Sequence, residues 1–376
     1  MKTLLKRKYG FSYYIAEMLP IKTTLNNRIK LSDRLLEFAG MSYHSNKKWG
    51  SFIRDQRNKT INNTNNTNLF DLLFEIEKQF NNTRDKGTIT ANSYKPTKFF
   101  NVILKKAKTQ FLDDLYEAPN LPHTYSISID NFNLISQRDE IQILSKVFSR
   151  KDDTLFVATN ASSEGYRVFT NFTGLSKKTK QLTNYKNELD ISAAVYAFMI
   201  NFVDTYSLVT EPLVIIRGYL KHKDAVRKLI AQKTNTDLKQ AKKILTAIGY
   251  GATWAEFLKP YKNVSEIVNF KKESDMLSKT VNNNLHLIAD KKFQDYFKMK
   301  LATKRFEKPD RKTNIRAGYR LHIFLEYFEA KVRAELDPDG VGQPVHDAVY
   351  FKDEDIEEAK LRVTLIEKKY GVEIKW

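Results

Sequence analysis

The stretch GQPVHDAVYFKDEDIEEAKLRV, Gly342 to Val363, sets an ionisable pair, His346 and Asp347, between apolar residues of what reads as a buried strand. Gly340, Gly342 and Pro344 allow a tight approach of the chain just before the pair. PVHDAVYF therefore reads as a strand or a hairpin. Behind it, Asp353 is placed to cap a helix whose apolar residues Ile356, Ala359, Val363, Ile366 and Tyr370 recur at spacings of three and four, and Gly371 ends that helix. The closing VEIKW alternates as a strand. Asp347 thus stands on a rigid platform, and the spacing gives His346 a role in shaping the hairpin rather than in binding metal, because no second histidine or cysteine lies at a zinc-like distance.

A second carboxylate of the same kind is Asp190, in NELDISAAVYAFM. In an extended chain Leu189 and Ile191 point one way and Glu188, Asp190 and Ser192 the other, and an apolar helix follows at once. Two aspartates on rigid strands are what a pair of magnesium ions requires, since hard cations take oxygen ligands and two-metal sites hold their ions close together.

Outward again, NTDLKQAKKILTAIGYG reads as a helix from about Asp237. Lys239, Lys242 or Lys243, Thr246 and Tyr250 share one face, while Ala241, Ile244, Leu245 and Ile248 share another. Ammonium groups followed by an aromatic ring suit a triphosphate at one end and a base at the other. Gly249 and Gly251 give that ring room.

Taken in order, LDIS, KKILTAIGYG and VHDAV resemble motifs A, B and C of the single-subunit, bacteriophage-type RNA polymerases and the related family A DNA polymerases. Lys242 stands eight residues before Tyr250-Gly251, the family spacing of motif B, and GYRVFTNFTGL resembles the segment upstream of motif A that nominates Arg167 for substrate phosphates or template. The resemblance covers roughly residues 160 to 376. It implies an α+β chain with a polymerase palm and fingers and with nucleotidyl transfer. Asp190 and Asp347 would hold two Mg²⁺ ions, for which Mn²⁺ can substitute, with Ile191 as a further metal contact. Arg167, Lys239, Lys242 and Tyr250 would bind nucleotide, with His346 and Gly251 in supporting places.

Family A DNA polymerases carry a glutamate five residues after the motif A aspartate and an aromatic residue four after the motif B lysine; here these are Val195 and Thr246, which lean toward ribonucleotides. The family arginine four residues before that lysine is Leu238 here, leaving Lys239 to stand in for it. The chain is short for a promoter-reading member and has no evident promoter element, which leaves room for priming or helper proteins. The resemblance therefore implies a DNA-directed RNA polymerase with DNA template, RNA product and nucleoside triphosphates as partners. Its rivals are a primase or DNA polymerase with the same palm, and a catalytically silent nucleic-acid-binding protein.

The composition agrees with a polyanionic partner: 63 Lys and Arg against 44 Asp and Glu give a formal charge of +19 over 376 residues. With no cysteine, disulfides and thiolate metal sites are excluded. The opening residues lack a signal-peptide pattern, and AAVYAFMINFV is too short for a membrane span, so the expected location is the cytoplasm. Residues 1–125 read mostly as a helical domain, template-binding or thumb-like, with NLFDLLFEIEKQF (Asn68 to Phe80) and PTKFFNVILKKAKTQFLDDLY (Pro96 to Tyr116) as helices. NKTINNTNNTN between the early elements reads as loop. The prolines of EAPNLPHTY mark a boundary, and residues 126–376 form the expected catalytic domain. Arg316 and Arg320 are candidates for template phosphates.

Overall fold

The fold was read from a computed structural model, which describes residues 2–41, 44, 46–59, 68–84, 87–115, 124–159, 162–164, 166–209, 212–254, 256–307 and 317–376. Arg316 and most of the asparagine-rich loop lie outside the described residues. The chain is α+β, with small antiparallel sheets among many helices. Its contacts divide it into two units, Met1–Asn160 with Gly174–Lys186, and Ala161–Thr173 with Asn187–Trp376.

In the first unit, α1 (Lys2–Tyr9), α2 (Phe11–Met18), α3 (Leu25–Ala39), α4 (Asn46–Arg57) and α5 (Leu69–Leu73) precede a hairpin of β1 (Phe74–Arg84) and β2 (Gly87–Pro96), and α6 (Lys98–Asp113) follows. Thr24, Asn68 and Thr97 cap their helices by accepting main-chain N–H bonds. Apolar faces of α2, α3 and α6 pack together, and Phe38 gathers Trp49, Phe52, Phe70, Phe74 and Tyr94 around it. NLFDLLFEIEKQF is thus no single helix. It turns into strand at Phe74, whose backbone is extended, and the strand then pairs with β2. Next come β3 (Thr124–Ser128), α7 (Ile129–Phe132), α8 (Gln137–Leu144), β4 (Val147–Lys151), β5 (Thr154–Ala158) and, after a break, α9 (Lys177–Lys180). β3, β5 and β4 form one sheet. The expected boundary at 125/126 falls inside this unit, because β3 pairs with β5.

The second unit holds a short hairpin, β6 (Ser162–Glu164) with β7 (Arg167–Phe169), and then β8 (Asn187–Ser192). A helical run follows: α10 (Ala194–Thr205), α11 (Val214–Lys221), α12 (Lys223–Thr234), α13 (Leu238–Gly249), α14 (Ser265–Asn284), α15 (Lys291–Glu307) and α16 (Ala317–Leu336). The chain closes with β9 (Gln343–Val345), β10 (Ala348–Phe351), α17 (Ile356–Tyr370) and β11 (Glu373–Lys375). The sheet order is β11-β8-β10-β9, every neighbour antiparallel. So β8 runs down the middle, flanked by strands that come much later in the sequence.

One face of this sheet is apolar. Leu189, Ile191, Val349, Phe351 and Ile374 are buried there in one core with α10, α16 and α17. Burying such side chains stabilises by roughly 1.5–3 kcal/mol each, and it also fixes the register, because a slip of one residue would turn the apolar set outward. Gly371, at φ +62°, ends α17 in the left-handed conformation expected of it. The cap at the other end is not Asp353. Asp355 occupies it without a side-chain bond, and Asp353 instead accepts from Asn187 Nδ2 at 2.9 Å. Among the described residues no helix is long and apolar enough to cross a membrane.

Candidate active site

The alternation of β8 leaves Glu188, Asp190 and Ser192 on the face opposite the core. Ala348 of β10 lies directly across from Asp190, so Asp347, one residue earlier, stands at the mouth of the β9–β10 turn beside β8. The Ile191 N–H donates to the Asp347 carbonyl oxygen at 3.3 Å, joining the two acidic positions through the backbone. Both aspartates are half-buried, open to solvent on one side. Their charges meet at Tyr350: burial raises this phenol far above its usual range first, a hydrogen bond to Glu188 adds to that, and the charges of Glu188, Asp190 and Asp347 raise it further.

The turn itself is held from behind. His346 is exposed and sits at φ +54°, a left-handed conformation that costs a residue with a Cβ about 1–2 kcal/mol. Arg333 of α16, buried, donates Nη1 to the His346 carbonyl and Nη2 to the Tyr166 carbonyl at 2.8 Å. One guanidinium therefore ties the residue before Asp347 to the residue before Arg167. Arg167 lies on β7, and its side chain is outside the described residues. Thr173 Oγ1 donates to the Pro344 carbonyl at 3.3 Å, and the Phe172 ring meets Tyr350 edge-on, so the segment around Arg167 packs along the hairpin. Gly342 lets the chain entering β9 lie close against β10, since a Cβ there would stand 2.5 Å from Val349 Cγ1.

Helix α13 starts at Asp237, whose side chain accepts the Gln240 N–H at 2.6 Å. Lys239, Lys242 and Lys243 are exposed, while Ala241, Ile244, Leu245 and Ile248 are fully buried, which is the two-faced pattern of its sequence. The helix packs against α10, which follows β8, and against α12 and α14. Tyr196 Oη donates to the Leu245 carbonyl at 2.5 Å, and Gly249 packs so near Val195 and Tyr196 that a Cβ would lie 2.6 Å from Val195 Cγ1. Tyr250 caps the helix half-buried, its ring 6.3 Å from that of His322. Gly251, at φ +76°, reverses the chain beside Gly318, where a Cβ would stand 2.7 Å from the Tyr250 carbonyl oxygen.

The structure thus brings together Asp190, Ile191, His346 and Asp347. Lys239 and Lys242 on α13, with Tyr250 and Gly251 just past its end, form a second group in the same unit. Arg320, the described member of the template pair, lies on the first turns of α16.

The sequence reading passed over Arg333, Glu188, Tyr350 and Lys223. Lys223, at the start of α12 and buried, donates to Ser192 Oγ at 3.0 Å and to Glu373 of β11. The Lys223 ammonium is the first cause holding the Glu373 carboxyl below its ordinary value. A lysine among helix residues carries no local mark of a partner on a distant strand.

As to metal, hard oxygen donors are present in Asp190 and Asp347. Ile191 can offer only its main-chain oxygen, since its side chain is a hydrocarbon and is buried in the core. Among the described residues no group of three or more His, Asp or Glu could hold an ion. Two carboxylates fit magnesium when substrate phosphates and water complete the shell. No protein-family model, no curated protein and no solved structure matches this chain.

Proposed function

We propose that the chain is a compact, template-directed nucleotidyltransferase of the single-subunit phage RNA polymerase type, copying DNA into RNA. The observation that supports this reading is the position of Asp347, in the β9–β10 turn next to Ala348, the cross-strand partner of Asp190, with its carbonyl oxygen accepting the Ile191 N–H. Asp190 and Asp347 would hold two Mg²⁺ ions, with Mn²⁺ a substitute and the Ile191 carbonyl an added donor. Bound there, the ions would supply activation of the attacking hydroxyl and neutralisation of the leaving pyrophosphate.

The chain's own residues do the rest. Lys239 and Lys242 neutralise the triphosphate, Arg167 contacts phosphates of substrate or template, and Tyr250 stacks on the new base pair. Held in line, the 3′-hydroxyl of the growing strand attacks the α-phosphate and pyrophosphate departs. Val195 favours ribonucleotides, because at that position, buried against Gly249, no carboxylate is present to exclude a 2′-hydroxyl. The charge of +19 favours a polyanionic template. Helper proteins would supply promoter choice, and the reaction belongs in the cytoplasm.

The test is incubation with single-stranded DNA, with and without a primer, Mg²⁺ or Mn²⁺, and each nucleotide set, reading product length and sugar. Metal-dependent incorporation of ribonucleotides is the expected result. Deoxynucleotide products alone would make it a DNA polymerase. Tight, salt-sensitive DNA binding without any incorporation would reduce it to a binding protein.

A further inference from the structure

We propose that Lys375, on β11, is a phosphate-contacting residue of this site, one that binds the β- and γ-phosphates of the nucleotide and the pyrophosphate released from it. The inference rests on the nucleotidyl-transfer reading and names a residue that the motifs do not contain.

The register carries it. Lys375 is the direct cross-strand partner of Asp190, on the side of β8 away from β10. Directly opposed residues of antiparallel strands share a face, with Cβ atoms about 4.5–5.5 Å apart. Ile374 pairs with Ile191 and is buried, so Lys375 takes the open face with Asp190. Across the sheet the order on this face is then Ala348, Asp190, Lys375, with Asp347 in the turn just before Ala348.

The charge on that flank is uneven. Glu373, opposite Ser192, is engaged by Lys223, and Lys223 also reaches Ser192. Lys375 contributes to holding the Glu373 carboxyl low, but less than Lys223 does. Its ammonium enters no ion pair and no hydrogen bond among the described residues, and the residue is exposed. With Lys223 engaged by Glu373, and Glu367 accepting the Ile374 N–H at 2.7 Å, the Lys375 ammonium is left open on this strand beside Asp190. The polyphosphate is the most negative part of a nucleotide, so it is drawn to the β11 flank, and the hydroxyl end is left to the Asp347 side.

The experiment is calorimetric titration of inorganic pyrophosphate, in Mg²⁺, into the full chain and into Lys375→Gln and Lys375→Arg, with thermal melts of all three. The expected result is binding by the parent chain, weakened about tenfold in Lys375→Gln and restored to within about threefold in Lys375→Arg, with melting unchanged. Equal binding by Lys375→Gln, or no binding by the parent chain, overturns the proposal. So does a lowered melting point with unaltered binding, which is the mark of a cross-strand ion pair and nothing more. The incorporation assay run on the same samples is read separately. Pyrophosphate binding that depends on Lys375 without any nucleotide incorporation would sink the polymerase reading and leave the phosphate contact standing.

Discussion

Arg333 holds the carbonyl of His346, the left-handed residue that turns the chain into Asp347, and its other nitrogen holds the carbonyl of Tyr166. The acidic turn is thereby braced from α16 as well as by the pairing of its own strands. Replacing Arg333 with alanine removes a buried guanidinium and both of its hydrogen bonds to these carbonyls. The expected cost is about 2–3 kcal/mol in denaturant unfolding, together with a loss of incorporation larger than that destabilisation explains at a temperature where the variant is still folded. Activity that falls only in step with the folded fraction would show that the brace is structural alone.

Asp190→Ala and Asp347→Ala are each expected to lower nucleotide incorporation about a thousandfold or more, because each removes an oxygen donor at the position where charge develops. DNA affinity, measured by filter binding across a salt series, should stay near that of the parent chain. Near-full activity in Asp347→Ala would mean that the site has been misassigned.

Gly318 lies against Tyr250, and a methyl group there would stand 2.7 Å from the Tyr250 carbonyl oxygen. Gly318→Ala should therefore cost about 1–3 kcal/mol despite alanine's better helix propensity. The backbone of Tyr250 has to shift to make room. KM for nucleotide is expected to rise more than kcat falls, which steady-state extension kinetics would read.

His44 sets a pH dependence in the first unit. Burial against Phe38 pushes its imidazole below the ordinary histidine value, and the hydrogen bond to the Phe38 carbonyl at 2.8 Å acts in the opposite sense. The unfolded chain takes up a proton near the ordinary histidine value of about 6.5 while the folded chain stays neutral. Stability is then whole above about pH 6.5 and declines as pH falls toward the lower folded value. Urea unfolding at about pH 7.5 and 5.5 should show this decline, and His44→Gln should flatten it.

Local pattern carried much of the second unit. ELDIS, VHDAV, the helix start near Asp237 and Gly371 each announce themselves within a few residues, and each stands where the pattern set it. NLFDLLFEIEKQF misled because Leu72, Leu73 and Ile76 satisfy helical spacing as well as they satisfy a strand. The choice at Phe74 is made by pairing with Gly87–Pro96, which no short window contains. Asp353 looked like a cap but is drawn to Asn187 on β8. Arg333, Lys223 and Lys375 were hidden for the same reason: the worth of each lies in a partner far away in the chain.

The strand bearing Asp190 lies between β10 and β11, and both are made only after the whole helical run from α10 to α16. During synthesis the first unit has all its partners early and can fold as it emerges, whereas the central strand waits with both edges unpaired. Those edges invite pairing with another chain until Ala348–Phe351 and then Glu373–Lys375 arrive. Nascent chains stalled before Glu373 should accordingly be the aggregation-prone species, and slow, late maturation is the cost of placing an early strand at the centre of the sheet.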